Sequence, residues 1–131
     1  MDYFKQNSKI YKAADFIDDN LGGAETLEIS LKTKNNALII DTKILQIVND
    51  IEIYLSSLEI VSETVSISKT LKELNKSFHG EDPLYYDLPG SRELSAQYLL
   101  LYDADNIEKY LDPEYRWTRI SARLTEHLSL I

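Results

Sequence analysis

Residues 24–67 read AETLEISLKTKNNALIIDTKILQIVNDIEIYLSSLEIVSETVSI, and the fold turns on how this stretch is parsed. From Ala24 to Thr33 the side chains alternate. Leu27, Ile29 and Leu31 fall on one side and Glu28, Ser30 and Lys32 on the other, the period-two pattern of a half-buried strand. Lys34-Asn35-Asn36 breaks the pattern. Asp41 or Thr42 then stands where a helix N-cap belongs. Ile44, Ile47, Val48, Ile51, Leu55 and Leu58 recur at helical spacing, so an amphipathic helix runs to about Leu58. Ile60 to Ile67 is short and rich in β-branched residues, which predicts a second strand. A strand–helix–strand unit of this kind predicts two parallel strands joined by a right-handed crossover.

Downstream, Ser68 or Thr70 is placed to cap a second helix, with Glu73 at capping-box distance from Thr70 and Leu71, Leu74 and Phe78 along its apolar side. His79-Gly80-Glu81-Asp82-Pro83 ends it. Pro89-Gly90 marks a turn, and Ser91 caps a third helix lined by Leu94, Tyr98 and Leu101. Asp105 caps a short helix that stops at Asp112-Pro113. Tyr115 to Thr125 alternates again, with Thr118, Ile120, Ala122 and Leu124 facing one way and Trp117, Arg119, Ser121 and Arg123 the other. This third strand is expected to enter the slot between the first two, antiparallel to both. The sheet order is then first, third, second (24–33, 115–125, 60–67). The fold class is α+β, a partial ferredoxin-like sheet with helices packed on it and a helical insertion over about 68–112.

Upstream, Asp2 to Asn20 reads as helix from the spacing of Tyr3, Ile10, Ala13, Ala14 and Ile17, stopped at Gly22-Gly23. That leaves the outer edge of the first strand bare. Bare edges pair, so a homodimer through that edge is expected. Ile131 comes shortly after Thr125, where one more helix is due, so residues 1–131 are expected to be a single subdomain excised from a larger protein.

The composition of the 131 residues, 44% apolar and 27% charged, is that of one globular domain. A net charge of −8 argues against nucleic acid as a partner and against docking on anionic lipid through a basic patch. The absence of cysteine excludes disulfides, thiolate chemistry and cysteine-type zinc sites. No apolar run approaches the ~18 residues a membrane span needs. Met1-Asp2-Tyr3-Phe4 is unlike the basic-then-apolar opening of a signal peptide.

Four blocks, in order, resemble a known family: Asn20 to Ile29; Ser66 to Asn75; Asp82 to Pro89 with Ser91 to Leu94 and Ala96 to Tyr102; and Tyr115 to Leu124. Together they resemble the first extracytoplasmic loop of resistance–nodulation–division (RND) exporters, in the MMPL-like, lipid-exporting branch. The resemblance implies a porter subdomain between the first and second membrane helices of a proton-driven transporter, on the periplasmic or exterior face. It implies two partners: the rest of the same transporter (membrane helices and second porter loop) and a hydrophobic or lipid-like substrate. The family's proton-carrying carboxylates sit in membrane helices, so no acid of this chain is expected to fill that role. A freestanding ferredoxin-like domain that binds a ligand or a protein is the alternative.

Among candidate site residues, His79, Glu81, Asp82 and Asp87 contain carboxylates that hard cations favour, but lack a recognised spacing, and read as a solvated helix end. Glu63 interrupts the apolar side of its strand. It is either a buried, perturbed acid or a residue at a strand end or bulge. An enzyme built on Glu63 or His79 would need two convergent titratable groups in one pocket. Ser91, Ser95, His79 and His127 form no nucleophile motif. No catalytic role, cofactor or metal is expected. Tyrosines are dense at 85, 86, 98, 102, 110 and 115. Tyr85 and Tyr86, which fall in a loop, are the candidates for a substrate path or interface, together with Trp117. Arg116, Arg119 and Arg123 make a basic stripe whose default is ion pairing with Glu114 or Glu28. Arg119 and Arg123 are also candidates for a lipid head group, since guanidinium suits phosphate and carboxylate.

Overall fold

In the computed structural model, which describes residues 14–21, 24–102 and 107–125, seven elements follow in chain order. They are β1 (Ala14–Leu21), β2 (Ala24–Lys32), α1 (Thr42–Ser56), β3 (Val61–Val65), α2 (Ile67–Ser77), α3 (Arg92–Leu101) and β4 (Trp117–Leu124). Single-turn 3-10 helices lie at Pro83–Tyr85 and Ile107–Lys109. The sheet order is β1-β2-β4-β3, with every neighbouring pair antiparallel. β2 and β3 therefore run parallel, split by β4, with α1 as their crossover. This is the α+β arrangement expected from residues 24–67 and 115–125, with three helices, two of them between β3 and β4.

The alternation in β2 and β4 sets where the core lies. Ile29 faces Ile120 across the ladder and Leu31 faces Thr118; Ile29, Ile120 and Thr118 are wholly buried. Against this face α1 lays Leu45, Val48, Ile51 and Leu55, and α2 lays Ile67 and Leu71. Trp117, Arg119 and Arg123 alternate with Thr118, Ile120 and Ala122, and so stand on the opposite face of β4.

Three expectations are corrected. The stretch read as helix over 2–20 is strand over Ala14–Leu21; residues 2–13 lie outside the described part. Ala14 pairs with Leu31 and Leu21 with Ala24, so only Gly22 and Gly23 link β1 to β2. A Gly-Gly dipeptide suits a two-residue hairpin as well as a helix stop, and an eight-pair ladder on an open edge outweighs weak helical spacing. The edge of β2 that was expected to be bare is consequently covered by β1. Finally, α2 starts at Ile67, not at Ser68 or Thr70. Ser66 is its N-cap, the Oγ accepting from the Lys69 amide at 3.1 Å, so the capping box of Thr70 and Glu73 does not form. Asp105, expected to cap a short helix, and the helix expected after Thr125 lie outside the described residues.

Candidate functional site

Helix α2 carries a polar stripe, Lys72, Asn75, Lys76 and His79, the last just beyond its C-terminus. This i, i+3, i+4, i+7 spacing puts the four on one face. The stripe meets the loop that leaves the helix. Gly80 and Glu81 both take positive φ (69° and 62°), and the Glu81 amide returns to the Lys76 carbonyl at 3.0 Å, which reverses the chain. Asp82 then caps the 3-10 turn, accepting from the Leu84 amide at 3.0 Å. The chain is thereby laid back along α2.

Each stripe residue holds part of that loop. Asn75 Nδ2 donates to the Tyr85 carbonyl at 2.8 Å, while Asn75 Oδ1 accepts from the Tyr98 hydroxyl at 2.7 Å. The His79 ring stacks on Tyr85, centroids 3.8 Å apart and planes 3° from parallel, and His79 Nδ1 lies 2.7 Å from the Asn75 carbonyl. Lys72 and Lys76 place their ammonium groups 5.1 and 6.0 Å from the centre of the Tyr86 ring. Burial pushes the Tyr86 phenol up, and the carboxylates of Glu73 and Glu52 add to this. Phe78 stacks on Tyr98 with centroids 5.0 Å apart.

Behind Lys72 lies a buried carboxylate. Glu52 of α1 accepts from Thr64 Oγ1 at 2.6 Å and from Ser56 Oγ at 3.0 Å, and Lys72 Nζ is 3.8 Å from its other oxygen. The Glu52 and Lys72 side chains are only 8% and 10% exposed, so the pair joins α1, β3 and α2 inside the fold. Neither residue stood out in sequence reading. The available signal was an acid beside Ile51 on the apolar stripe of α1 and a base beside Leu71 on that of α2.

The expected site residues form two separate groups. Tyr85 and Tyr86 are exposed on the clamped loop, with Leu84 at its tip 87% exposed. Trp117, Arg119 and Arg123 are on the sheet face opposite the core, and no described contact joins them to the tyrosines. There, Arg119 lies over the Trp117 ring at 5.9 Å and pairs with Glu28 at 3.8 Å, the cross-sheet partner expected for it. Arg116 is engaged structurally, Nη1 donating to the Asn35 and Ala37 carbonyls at 2.8 and 2.9 Å. Tyr98, Tyr102, Tyr110 and Tyr115 pack in or against the core.

Glu63 is exposed beside the β3 register shift, the bulge reading of that residue. His79 lies beyond the far end of α2, roughly 16 Å of helix away at 1.5 Å per residue. No acid–base pair is assembled from the two. Glu81 accepts from Ser77 Oγ, Asp82 caps its turn and Asp87 takes the Leu88 amide. Among the described residues no group of three or more such side chains is placed to hold a metal ion. Among them, too, no helix is long and apolar enough to cross a membrane. No family model, curated protein or solved structure matches the chain.

Proposed function

We propose that this chain is an extracytoplasmic porter subdomain of an RND-type exporter of lipids or other hydrophobic compounds, ferredoxin-like in plan. The observation that carries the reading is the split strand–helix–strand topology, in which β4 separates parallel β2 and β3 and the described helices share one core with the sheet. This is the arrangement that the resemblance of residues 20–29, 66–75, 82–89, 91–94, 96–102 and 115–124 implies for such a subdomain. In this role the domain lines or gates a path for its substrate and packs against the partner loop of the same transporter. Tyr85 and Tyr86 provide one contact surface and Trp117, Arg119 and Arg123 another.

The test is the length and hydropathy of the native gene product. The reading requires an apolar span of ~20 residues on each side of this domain, with a bundle of further spans. A gene product without flanking spans overturns it and leaves a freestanding ferredoxin-like binding domain.

A further inference from the structure

We infer that the loop Leu84-Tyr85-Tyr86 is a preformed knob that docks into an apolar socket ringed by basic residues on another protein. Leu84 is 87% exposed and stands between Tyr85 and Tyr86, which expose 43% and 38% of their surfaces. A large aliphatic side chain held this far into water by an ordered turn does no work in the core. Aromatic residues flanking it are the type that anchors protein interfaces.

The knob is rigid. Asn75 holds the Tyr85 carbonyl, His79 stacks on the Tyr85 ring, and Lys72 and Lys76 face the Tyr86 ring. Four side chains from one helix face hold Tyr85 and Tyr86, and Asp82 holds the Leu84 amide, so little backbone ordering remains to oppose association. The three side chains are exposed to solvent, Leu84 most of all, which suits a socket on a macromolecule. A small ligand needs a concavity, and the groove beside α2 (about 390 Å³) is lined by Glu63, Thr64, Lys69 and Tyr102, not by this loop.

Charge selects the kind of partner. Glu81, Asp82 and Asp87 flank the knob in sequence and all three lie in a segment, 80–87, without a base. Among the described residues, the cations facing the loop are already answered: Lys76 by Glu73 and Glu81, each at 3.8 Å, and Lys72 by Glu52. The rim is therefore acidic and fits a basic ring. The same rim disfavours insertion into anionic lipid, and it disfavours a second copy of a chain whose net charge is −8. The inference does not rest on the exporter reading. The socket belongs to a separate protein, so the gene-product test can fail while this one succeeds.

The experiment places the photo-crosslinker p-benzoylphenylalanine at position 84 of the full-length gene product in its own cells, with position 59 as an exposed control. The expected result is a crosslink to a sequenced peptide in which apolar residues lie beside Lys or Arg. It is absent from the control and at least tenfold weaker in the Glu81→Lys, Asp87→Lys double variant at equal expression. His79→Ala, which loosens the clamp without touching the buried pair, is expected to lower the yield about threefold. Vesicles of phosphatidylcholine with phosphatidylglycerol supply the membrane arm, and no binding is expected. A crosslink to lipid, to another part of the same polypeptide, to a second copy of this chain or to a peptide without basic residues overturns the inference. So do vesicle binding, indifference to charge reversal and the absence of any crosslink.

Discussion

Glu52 and Lys72 are charged residues standing where their helices bury apolar ones. A buried carboxylate is tolerated only if its oxygens are occupied, and here Thr64, Ser56 and Lys72 occupy them. Removing one charge strands the other. Lys72→Met is expected to lower stability by about 3 kcal/mol, and adding Glu52→Gln to that background should recover part of the loss. Urea unfolding of both singles and the double gives the coupling, expected to be about 1 kcal/mol or more; additive single effects would show that the pair does not act as one. Gly80 makes a second case. At φ 69° it has no heavy atom within 4 Å of where a Cβ would lie, so Gly80→Ala meets a purely conformational cost of about 1 kcal/mol. A neutral thermal midpoint for that variant would mean that the turn is not held in this form.

At the scale of elements, the helix starts show how local chemistry places the site. Ser66 Oγ and Ser91 Oγ each cap a helix through the amide three residues on. Ser66→Ala is expected to cost about 1 kcal/mol and to loosen the start of the helix that carries the stripe. Asp41 differs. It stands at the N-cap of α1, but its carboxylate accepts from the Leu38 amide and from Arg92 Nε, tying the starts of α1 and α3 together. The hydrogen bond from Arg92 holds the Asp41 carboxyl below its ordinary 3.8, outweighing the opposing effect of burial and reinforced by the Leu38 amide and the Arg92 charge. A folded-state pKa below the unfolded one stabilises the fold above the unfolded value and ceases to do so as pH falls through the folded value. The stability gap between the parent and Asp41→Asn should therefore be flat from neutral pH down to about 3.8 and close below it. A gap that instead opens on acidification would reverse the sign and refute the assignment.

Over the whole molecule, β4 is the member on which the rest depends. It arrives last, enters between β2 and β3, and presents Ile120 to Ile29 with both wholly buried. Ile120→Ala should cost about 3 kcal/mol, since a cavity between the central strands has little freedom to collapse. Amide exchange should be slowest in β2 and β4, the two interior strands. Fast exchange in β4 relative to the edge strand β3 would mean that the sheet is not closed in this order.

Much of this plan is legible in the residues alone. Period-two alternation in 24–33 and 115–125 marks which side chains turn inward, and the 3.6-residue spacing of 44–58 marks a helix, because each pattern records burial on one face of a local element. The order of the strands follows from connection rules acting on those elements. Other features were decided only in three dimensions. Residues 14–21 carry a helical spacing, yet they are strand, because eight pairings along the edge of β2 are interactions that no local window contains. Ser66 is drawn into a helix cap from what reads as a strand end. The candidate site joins α1 at Glu52, β3 at Thr64, α2 at Lys72 and the loop at Tyr86, contacts spanning 34 positions (86 − 52) of the chain. Sequence determines which residues can lie on a common face; packing decides which faces meet, since burial free energy depends on partners that are remote along the chain.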